Sequence, residues 1–201
     1  MRITKEQSEE NRDRILDAAS KLFLEHGFDG IGVADLMRAA GFTHGGFYNH
    51  FRSKDDLAAE SAQRAFEVRA GTMAVPEDLK AHIELYLSPL HLDNPKHGCP
   101  AAALAGDAAR QSELVKGQFA TGVERMIQAL ETRLGDRGEK KSSARRFKAI
   151  NLLTKLVGAI AVARAMPEGS DIRIEILETA LGGALQDAGI SKTRRSQKSG
   201  K

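Results

Sequence analysis

Apolar residues recur every three or four positions along almost the whole chain, and no segment alternates apolar with polar residues as a half-buried β-strand does. The 201 residues include eight Phe, two Tyr and no Trp, while Ala and Leu occur throughout. This composition favours helices over sheets. The sequence therefore predicts an all-α fold of about nine helices, with no internal repeat.

Breaks in this pattern separate the predicted helices. They cover residues 11–26, 33–40, 44–51, 54–70, 76–90, 100–110, 113–134, 143–165 and 171–188. The widest early break, at residues 71–76, contains Gly71 and Pro76 and marks the best domain boundary. We therefore expect an N-terminal domain at residues 1–55 with a linking helix to about residue 70, a larger domain at 71–190, and a basic disordered tail at 191–201.

The single cysteine, Cys99, excludes an intramolecular disulfide and a zinc site built from several cysteines. The opening segment, MRITKEQSEENRDR, is too highly charged for a secretory signal. The longest apolar stretch, around residues 152–163, is too short to cross a bilayer. We therefore expect a cytoplasmic protein with no membrane partner, and the sequence predicts neither a metal ion nor a cofactor.

The net charge of +3 comes from the C-terminal tail. Residues 191–201 carry five basic residues and no acidic residue, so the rest of the chain has a net charge of −2 (3 − 5). Residues 1–54 contain eight basic and eight acidic residues. The overall charge therefore does not by itself indicate nucleic-acid binding.

Residues 33–51 contain two short predicted helices joined by a tight turn with a glycine, and a longer helix precedes them. This order is typical of a helix-turn-helix, whose second short helix enters the DNA major groove. On a helical wheel with about 100° per residue, Phe47 and Phe51 fall together and are expected to face the core. Thr43 is expected to cap the helix. Gly45, Gly46 and Asn49 fall on the outer face of the helix, and His44, Tyr48 and His50 lie on the flanks of that face.

Such a face suits DNA. Glycines let the backbone approach base edges, Asn49 can pair with adenine, and Tyr48 and His50 can donate to phosphates. The alternative is an ordinary surface helix of a bundle. Two adjacent glycines, however, destabilise a helix by about 1 kcal/mol each relative to alanine. Because a plain surface helix has no need of them, the residues favour a DNA-binding function.

The segments ILDAASKLFLEHGFDG and VADLMRAAGFTHGGFYNHFRSKDDL resemble the DNA-binding domain of the TetR (tetracycline repressor) family of bacterial transcriptional regulators. The resemblance rests on the glycine-aromatic-Thr turn, the Tyr-x-His-Phe run and the lysine that follows. It implies that the DNA contacts are made by Thr43, His44, Gly45, Gly46, Tyr48, Asn49 and His50, and that Lys54 contacts a phosphate.

Two positions depart from the family pattern. Family members often carry Ser or Thr at the start of the second helix, where this chain has Ile31 and Gly32. Only the backbone N–H near Gly32 is then left for a phosphate. The position of Gly46 is also commonly Ser or Thr. We therefore expect modest non-specific affinity and a strong dependence on two half-sites.

The resemblance further implies a homodimer on a palindromic operator in double-stranded DNA, together with an unidentified small-molecule effector. The last two predicted helices are the expected dimer surface, because small residues there let helices approach closely. The alternative is that both helices are monomer core. The predicted dimer residues are Leu153, Val157, Ile160, Leu177, Leu181, Ala184 and Leu185. The predicted effector pocket, within the larger ligand-binding and dimerisation domain, is lined by His82, Tyr86, Cys99, Gln118, Met126 and Asn151.

Cys99 lies just before a predicted helix start and follows Lys96 and His97, an arrangement that can activate a thiol. One interpretation is a thiol that senses oxidants or electrophiles. The alternative is a buried packing cysteine. A metal site built from Cys99 with His91 and His97 lacks a helical histidine pair and a helping carboxylate.

Two other classes of protein compete with a regulator. An enzyme is disfavoured because the chain contains no G-x-S-x-G, HExxH, P-loop or dinucleotide-binding motif. A helical adaptor that does not bind DNA would leave the outer glycines and Tyr48, Asn49 and His50 without a role. The sequence therefore predicts a ligand-responsive DNA-binding regulator, a repressor rather than an activator. Its release from DNA would follow effector binding or modification of Cys99.

Overall fold

The computed structural model describes residues 4–72, 78–135 and 142–190, and every regular element in these ranges is a helix. The all-α prediction is confirmed. The helices are α1 Lys5–His26, α2 Val33–Ala39, a first 3-10 helix His44–Asn49, α3 Lys54–Thr72, α4 Leu79–Tyr86, α5 Pro89–Leu92, a second 3-10 helix Pro95–His97, α6 Pro100–Ala108, α7 Glu113–Leu134, α8 Ser142–Arg164 and α9 Asp171–Asp187. The predicted tail at 191–201 lies outside the described residues.

Helix boundaries differ from the prediction at two places. Helix α1 begins at Lys5 rather than at residue 11, because the Thr4 hydroxyl caps it by accepting from the Gln7 backbone N–H at 3.2 Å. The single helix predicted at 76–90 is interrupted. Pro89 has no N–H to continue α4, and the Ser88 hydroxyl instead donates to the Leu85 carbonyl at 2.7 Å and accepts from the His91 N–H at 3.3 Å. Helix α5 therefore begins anew at Pro89.

Two apolar clusters form the core, and three helices take part in both, α3, α6 and α7. The N-terminal cluster lies among α1, α2, the first 3-10 helix and the first half of α3, whereas the larger cluster lies among α4, α7, α8 and α9. Helix α3 contributes Leu57 to the first cluster and Phe66 to the second. Helix α6 likewise contributes Leu104 to the first and Ala101 to the second. The domain boundary near residue 71 stays a prediction, and α3 packs in both apolar clusters.

The loop after α1 packs directly on α6. Gly27 has φ +75°, and a Cβ atom there would lie 2.0 Å from the Asp107 Oδ2 atom. Nearby, the Gln111 side-chain amide donates to the Asp29 carboxylate at 3.0 Å. Because these contacts leave no free space, a displacement of α6 would also displace the loop that leads into α2.

Candidate DNA-binding surface and effector pocket

The turn after α2 is fixed by its backbone. The Phe42 N–H donates to the Met37 carbonyl at 2.8 Å, and the Gly41 N–H donates to the Arg38 carbonyl at 3.0 Å. This pair of bonds is a Schellman motif, which places one residue in the left-handed region. That residue is Gly41, with φ +83°. The glycine therefore sets the direction in which the chain enters the first 3-10 helix.

Arg14 of α1 holds this turn from behind. Its guanidinium donates to the Ala40 carbonyl at 3.3 Å and lies 5.0 Å from the centroid of the Phe42 ring. A cation over an aromatic face and a bond to a carbonyl both restrict the turn. Arg14 was not among the residues that the sequence analysis identified.

The first 3-10 helix is anchored as predicted by Phe47 and Phe51. Both side chains are at most 2% exposed, and their rings stack with centroids 5.7 Å apart. The segment is a 3-10 helix of six residues rather than the predicted α-helix over 44–51. Two glycines in so short a segment disfavour regular α-helix, which explains the difference.

Arg12 of α1 holds the opposite end of the 3-10 helix. Its Nε atom donates to the His50 carbonyl at 3.4 Å, one of its N–H groups reaches Glu60 Oε2 at 2.6 Å, and its guanidinium lies 4.7 Å from the Phe51 ring centroid. Burial, and then the charge of Arg12, lower the pKa of His50. The only sequence signal for Arg12 and Arg14 is their position next to the apolar stripe of α1, where long side chains can cover aromatic rings.

We call the outward surface of this segment the recognition face: Gly32, Thr43, His44, Gly45, Gly46, Tyr48, Asn49, His50 and Lys54. Tyr48 is 72% exposed, and Thr43, His44 and Asn49 are also exposed, whereas Gly46, His50 and Lys54 are half-buried. Across the part of the chain that the structure describes, the side chains of Tyr48 and Asn49 have no hydrogen-bond partner. Polar groups of this kind are available to an external ligand.

Thr43 differs from the prediction in one respect. Its backbone has the extended conformation of a helix cap, but its hydroxyl makes no capping bond within the described residues. The Gly46 N–H is satisfied instead by the Thr43 carbonyl at 3.0 Å. The hydroxyl of Thr43 therefore stays available at the surface.

The fold does not require the two glycines of the recognition face. A Cβ atom at Gly45 would meet nothing within 4 Å, and one at Gly46 would only touch Met37 and Thr43 at 3.8 Å. Neither glycine has a positive φ. Neither the packing of the described residues nor the backbone conformation therefore requires glycine at these two positions. This agrees with a surface that another molecule approaches closely.

Ser53 caps the start of α3. The Ser53 hydroxyl accepts from the Asp56 N–H at 3.1 Å, and the Asp56 carboxylate accepts from the Arg52 N–H at 3.3 Å. These bonds fix the start of α3, where Lys54 occupies the first position. Arg52, exposed beside Lys54, is a further cation at this edge that the sequence analysis did not identify.

Comparison with known proteins identifies this segment. Residues 15–60 match the family model described as bacterial regulatory proteins, tetR family. The AcrR regulator of Shigella flexneri is 41% identical over 59 residues, which are 29% of this chain and 27% of that protein. The AcnR repressor of Corynebacterium diphtheriae is 38% identical over 79 residues, which are 36% of this chain and 42% of that protein. The matches thus span less than half the length of these two relatives.

Solved structures extend the likeness in fold to the whole chain. The reduced form of Escherichia coli NemR superposes with a TM-score of 0.70 at 23% identity, over 88% of this chain and 96% of that one. A TetR-family regulator from Cytophaga hutchinsonii gives a TM-score of 0.75 at 17% identity, over 97% and 100%. The likeness to the tetR family is thus carried by residues 15–60, and the solved structures show a shared fold beyond them. The TetR-family match covers both short helices and the recognition face.

Four of the predicted effector-pocket residues lie together in the core. His82, Tyr86, Cys99 and Met126 are each at most 6% exposed, and Cys99 Sγ lies 3.9 Å from Met126 Sδ. The other two do not join them. Gln118 is half-buried on α7, whereas Asn151 is exposed on α8 and therefore cannot line an internal pocket.

The surroundings of Cys99 correct the interpretation of an accessible, activated thiol. Cys99 is fully buried, whereas Lys96 and His97 are exposed. Its backbone N–H donates to His91 Nε2 at 2.9 Å, so the proton of His91 sits on Nδ1 and is donated to the Tyr86 carbonyl at 2.7 Å. Among the described residues, no group of three His, Cys, Asp or Glu side chains is placed to hold a metal ion.

The hydroxyl of Tyr86 is buried beside the Cys99 thiol and has no oxygen or nitrogen hydrogen-bond partner in the described part of the chain. Burial, and then the neighbouring Cys99, raise the pKa of Tyr86. An unsatisfied buried hydroxyl costs about 1–3 kcal/mol. A ligand that accepts this bond would recover that free energy.

A pocket opens between α3 and α7. Arg69 and Met126 line the pocket and also contact the buried residues Tyr86 and Cys99. The Arg69 guanidinium lies 5.8 Å from the Tyr86 ring centroid, and the Met126 sulfur touches the Cys99 sulfur. Beside it, α3 and α7 are in close contact, because a Cβ atom at Gly122 would lie 2.2 Å from the Phe66 ring. The two helices therefore cannot move closer together here.

Acidification is expected to destabilise the fold through His82 and His91. Burial is the main cause that lowers the pKa of each to about 4, and Arg133 and Arg69 add to the effect at His82. The unfolded chain binds protons at these histidines below about pH 6.5, and the folded chain excludes them. The free energy of unfolding is therefore fully retained above that pH and falls towards pH 4, by about 1.4 kcal/mol per pH unit for each histidine.

Urea denaturation at pH 7, 6 and 5 measures this loss, and His82→Gln should reduce the fall between pH 6 and 5 relative to the parent. His44→Gln, at an exposed histidine of the recognition face, is the matched control and should leave the pH dependence unchanged. Equal pH dependence of the unfolding free energy in the parent and His82→Gln would contradict the role of His82 in acid destabilisation.

The structure corrects the predicted dimer residues. Leu153, Ile160, Leu177, Ala184 and Leu185 are at most 7% exposed inside this chain's own core, which leaves them out of reach of a second chain. The remaining two, Val157 and Leu181, are partly buried and pack against the same core.

An open groove on the outer side of α8 and α9 is the alternative surface. Val162 and Ile172 are 51% and 44% exposed there, and Gly158 and Gly183 lie between them. A Cβ atom at Gly158 would meet nothing within 4 Å. We call this surface the α8–α9 face. It is mostly apolar, with Lys155 and Glu175 also in its lining, and its Gly158 is a glycine that no contact of the described residues requires. No helix of the described residues is long and apolar enough to cross a membrane.

Proposed function

We propose that the chain is a transcriptional repressor that binds a palindromic operator as a homodimer and is released by a small-molecule effector. The observation that carries the proposal is the recognition face. Its exposed polar groups make no hydrogen bond among the described residues, no contact there requires its two glycines, and Arg12 and Arg14 hold its backbone at both ends. A preorganised surface of this kind binds with a smaller loss of conformational entropy.

In the proposed complex the recognition face enters the major groove. Asn49 pairs with adenine through its amide, while Tyr48 and Thr43 donate their hydroxyl protons to phosphates. Lys54 contacts a phosphate at the groove edge. Gly32 contributes only a backbone N–H, since α2 begins there without a side-chain cap. With equal numbers of acidic and basic residues in 1–54, affinity depends on two half-sites rather than on charge.

The proposed dimer forms through the α8–α9 face. Packing two helices from each chain would cover the exposed apolar side chains and the glycines of the groove. A symmetric dimer places two recognition faces on one side of the DNA, with a separation matched to the helical repeat.

The proposed release of DNA acts through α3 and α6. Helix α3 carries Leu57 in the N-terminal cluster and Arg69 at the pocket, and α6 ends against Gly27. An effector that binds more tightly to a wider arrangement of these helices would move the two recognition faces away from the spacing of the DNA helical repeat. An effector with equal affinity for the DNA-binding and the wider arrangement would not change their populations. Because Cys99 is sealed from solvent, the structure favours effector binding over thiol modification as the route of release.

The test is selection of bound duplexes from a random pool at moderate salt, followed by titration of two variants against the enriched sequence. Asn49→Ala should relax base preference at one position in each half-site, at a cost of about 1–3 kcal/mol. Lys54→Ala should weaken binding to all sequences alike and lower the salt dependence. Failure to enrich any palindrome with a dimer verified by light scattering, or parent-like binding by both variants, would overturn the proposal in favour of an adaptor.

A further inference from the structure

His91 lies at the point where α4, α5 and α6 meet. Its Nδ1–H group donates to the Tyr86 carbonyl at 2.7 Å, and its Nε2 atom accepts from the Cys99 N–H at 2.9 Å. Tyr86 is the last residue of α4, and Cys99 is the cap residue at the start of α6. One side chain, 7% exposed, thus joins the end of one helix to the beginning of another.

The bond from Cys99 requires a neutral imidazole, because a protonated ring has two N–H donors and no acceptor. Burial, opposed by the bond to the Tyr86 carbonyl, lowers the pKa of His91 to about 4. The ring is therefore neutral at pH 7. The Cys99 N–H is buried with it, so loss of this acceptor would leave an unsatisfied donor in the core and would destabilise the start of α6.

The other side of His91 is held by α8. Arg164 donates to the His91 carbonyl at 2.7 Å and to the Leu92 carbonyl at 3.0 Å. A Cβ atom at Gly98 would lie 2.9 Å from Arg164 Nη2 and 3.0 Å from His91 Nε2. Gly98 has φ −87°, so its backbone does not require glycine. The close approach of the imidazole and the guanidinium does.

The far end of α6 supports the loop that leads into α2. Helix α6 has nine residues and is therefore about 13 Å long. Its start is tied to His91, Leu104 packs in the N-terminal cluster, and Asp107 lies directly against Gly27. Because close-packed interiors transmit displacement, a shift at the start of this short helix also reaches the loop.

We infer that His91 is a positioning residue that sets where α6 supports the loop before α2. The inference rests on the proposed function and names one residue of its coupling. While the Cys99 N–H is bonded to His91, the start of α6 is tied to α4 and α8, and its end holds the loop in the DNA-binding arrangement. An effector that moves α4 or α8 acts on α6, and through α6 on the recognition face, by way of this bond.

Two substitutions separate the two bonds of His91. The amide of glutamine reaches the position of Nε2, so His91→Gln keeps an acceptor for the Cys99 N–H. The amide of asparagine reaches only the position of Nδ1, so His91→Asn keeps the bond to Tyr86 and loses the bond from Cys99. Operator affinity should be about fivefold or more weaker in His91→Asn than in His91→Gln, which is the usual scale of coupling between sites. Hydrogen exchange at residues 23–30, which pack on the far end of α6, should be faster in His91→Asn.

Gly98→Ala tests the same bond with His91 in place. Its Cβ atom forces the imidazole away from the Cys99 N–H, so it should resemble His91→Asn in both measurements. His97→Gln, at an exposed histidine of the same segment, is the matched control and should behave as the parent does. Ile83→Val removes one methylene group from the core beside α4 and controls for lost stability alone. It should unfold at a lower urea concentration and keep the operator affinity of the parent.

Equal operator affinity in His91→Asn and His91→Gln, or equal exchange at residues 23–30, would overturn the inference, and so would parent-like behaviour of Gly98→Ala. Weakened operator binding by Ile83→Val would also overturn it, since lost stability would then be a sufficient explanation. The exchange measurement uses the full chain without DNA. Failure of the parent to enrich any palindrome therefore refutes the proposed function, whereas unchanged exchange refutes the role of His91.

Discussion

Gly158→Glu is expected to convert the protein from a dimer into a folded monomer of 21.8 kDa and to weaken operator binding at least 100-fold. The substitution places a charge in the middle of the apolar α8–α9 face, where a partner helix would bury it unpaired. The monomer itself should not be harmed, because a Cβ atom at this position meets nothing within 4 Å and glutamate favours a helix more than glycine does. Sedimentation equilibrium and anisotropy with the selected operator measure the two effects.

Gly117→Glu is the matched control. It makes the same change at an exposed glycine of α7, where a Cβ atom also meets nothing within 4 Å. This variant should remain dimeric and bind the operator as the parent does. A dimeric Gly158→Glu protein with parent-like affinity would show that the chain assembles through another surface.

Phe47→Ala is expected to destabilise the fold, whereas Tyr48→Ala is expected to weaken operator binding, although the two residues are neighbours. Phe47 is 1% exposed and packs on Phe51, so its truncation should cost about 3–5 kcal/mol of unfolding free energy. Tyr48 is 72% exposed, so its truncation should lower the free energy of unfolding by less than about 0.5 kcal/mol. Its loss should instead weaken operator binding, by about 1 kcal/mol in each half-site if its hydroxyl donates to a phosphate.

Chemical denaturation and operator titration together separate the two roles. Reduced stability in Tyr48→Ala, with unchanged DNA binding, would mean that the side chain serves the fold and that the recognition face has been placed wrongly. Unchanged stability in Phe47→Ala would contradict its role as the anchor of the 3-10 helix.

Local features of the fold could be predicted from the sequence. The turn at Gly41, the cap at Ser53 and the anchoring of Phe47 and Phe51 depend on residues close together in the chain, and all are found in the structure. Such features follow from backbone geometry and short-range spacing, which the sequence displays directly.

Features that depend on distant partners could not be predicted in the same way. Periodicity identifies the apolar side of a helix but not the molecule that covers it, and for this reason Leu153 and Leu177 were assigned to a partner although their own chain buries them. The roles of Arg12 and Arg14 likewise depend on aromatic rings that only folding brings near. The burial of Cys99 depends on α7, which supplies Met126.

The separation between the recognition face and its support has an evolutionary consequence. The side chains of Thr43, Tyr48 and Asn49 make no hydrogen bond among the described residues, whereas Arg12 and Arg14 hold the backbone from the other side. Under the proposed function, substitutions in the first group can therefore change which DNA sequence is read without a compensating change elsewhere. Gene duplicates of such a regulator can diverge to new operators by a few exposed mutations, while the scaffold stays the same.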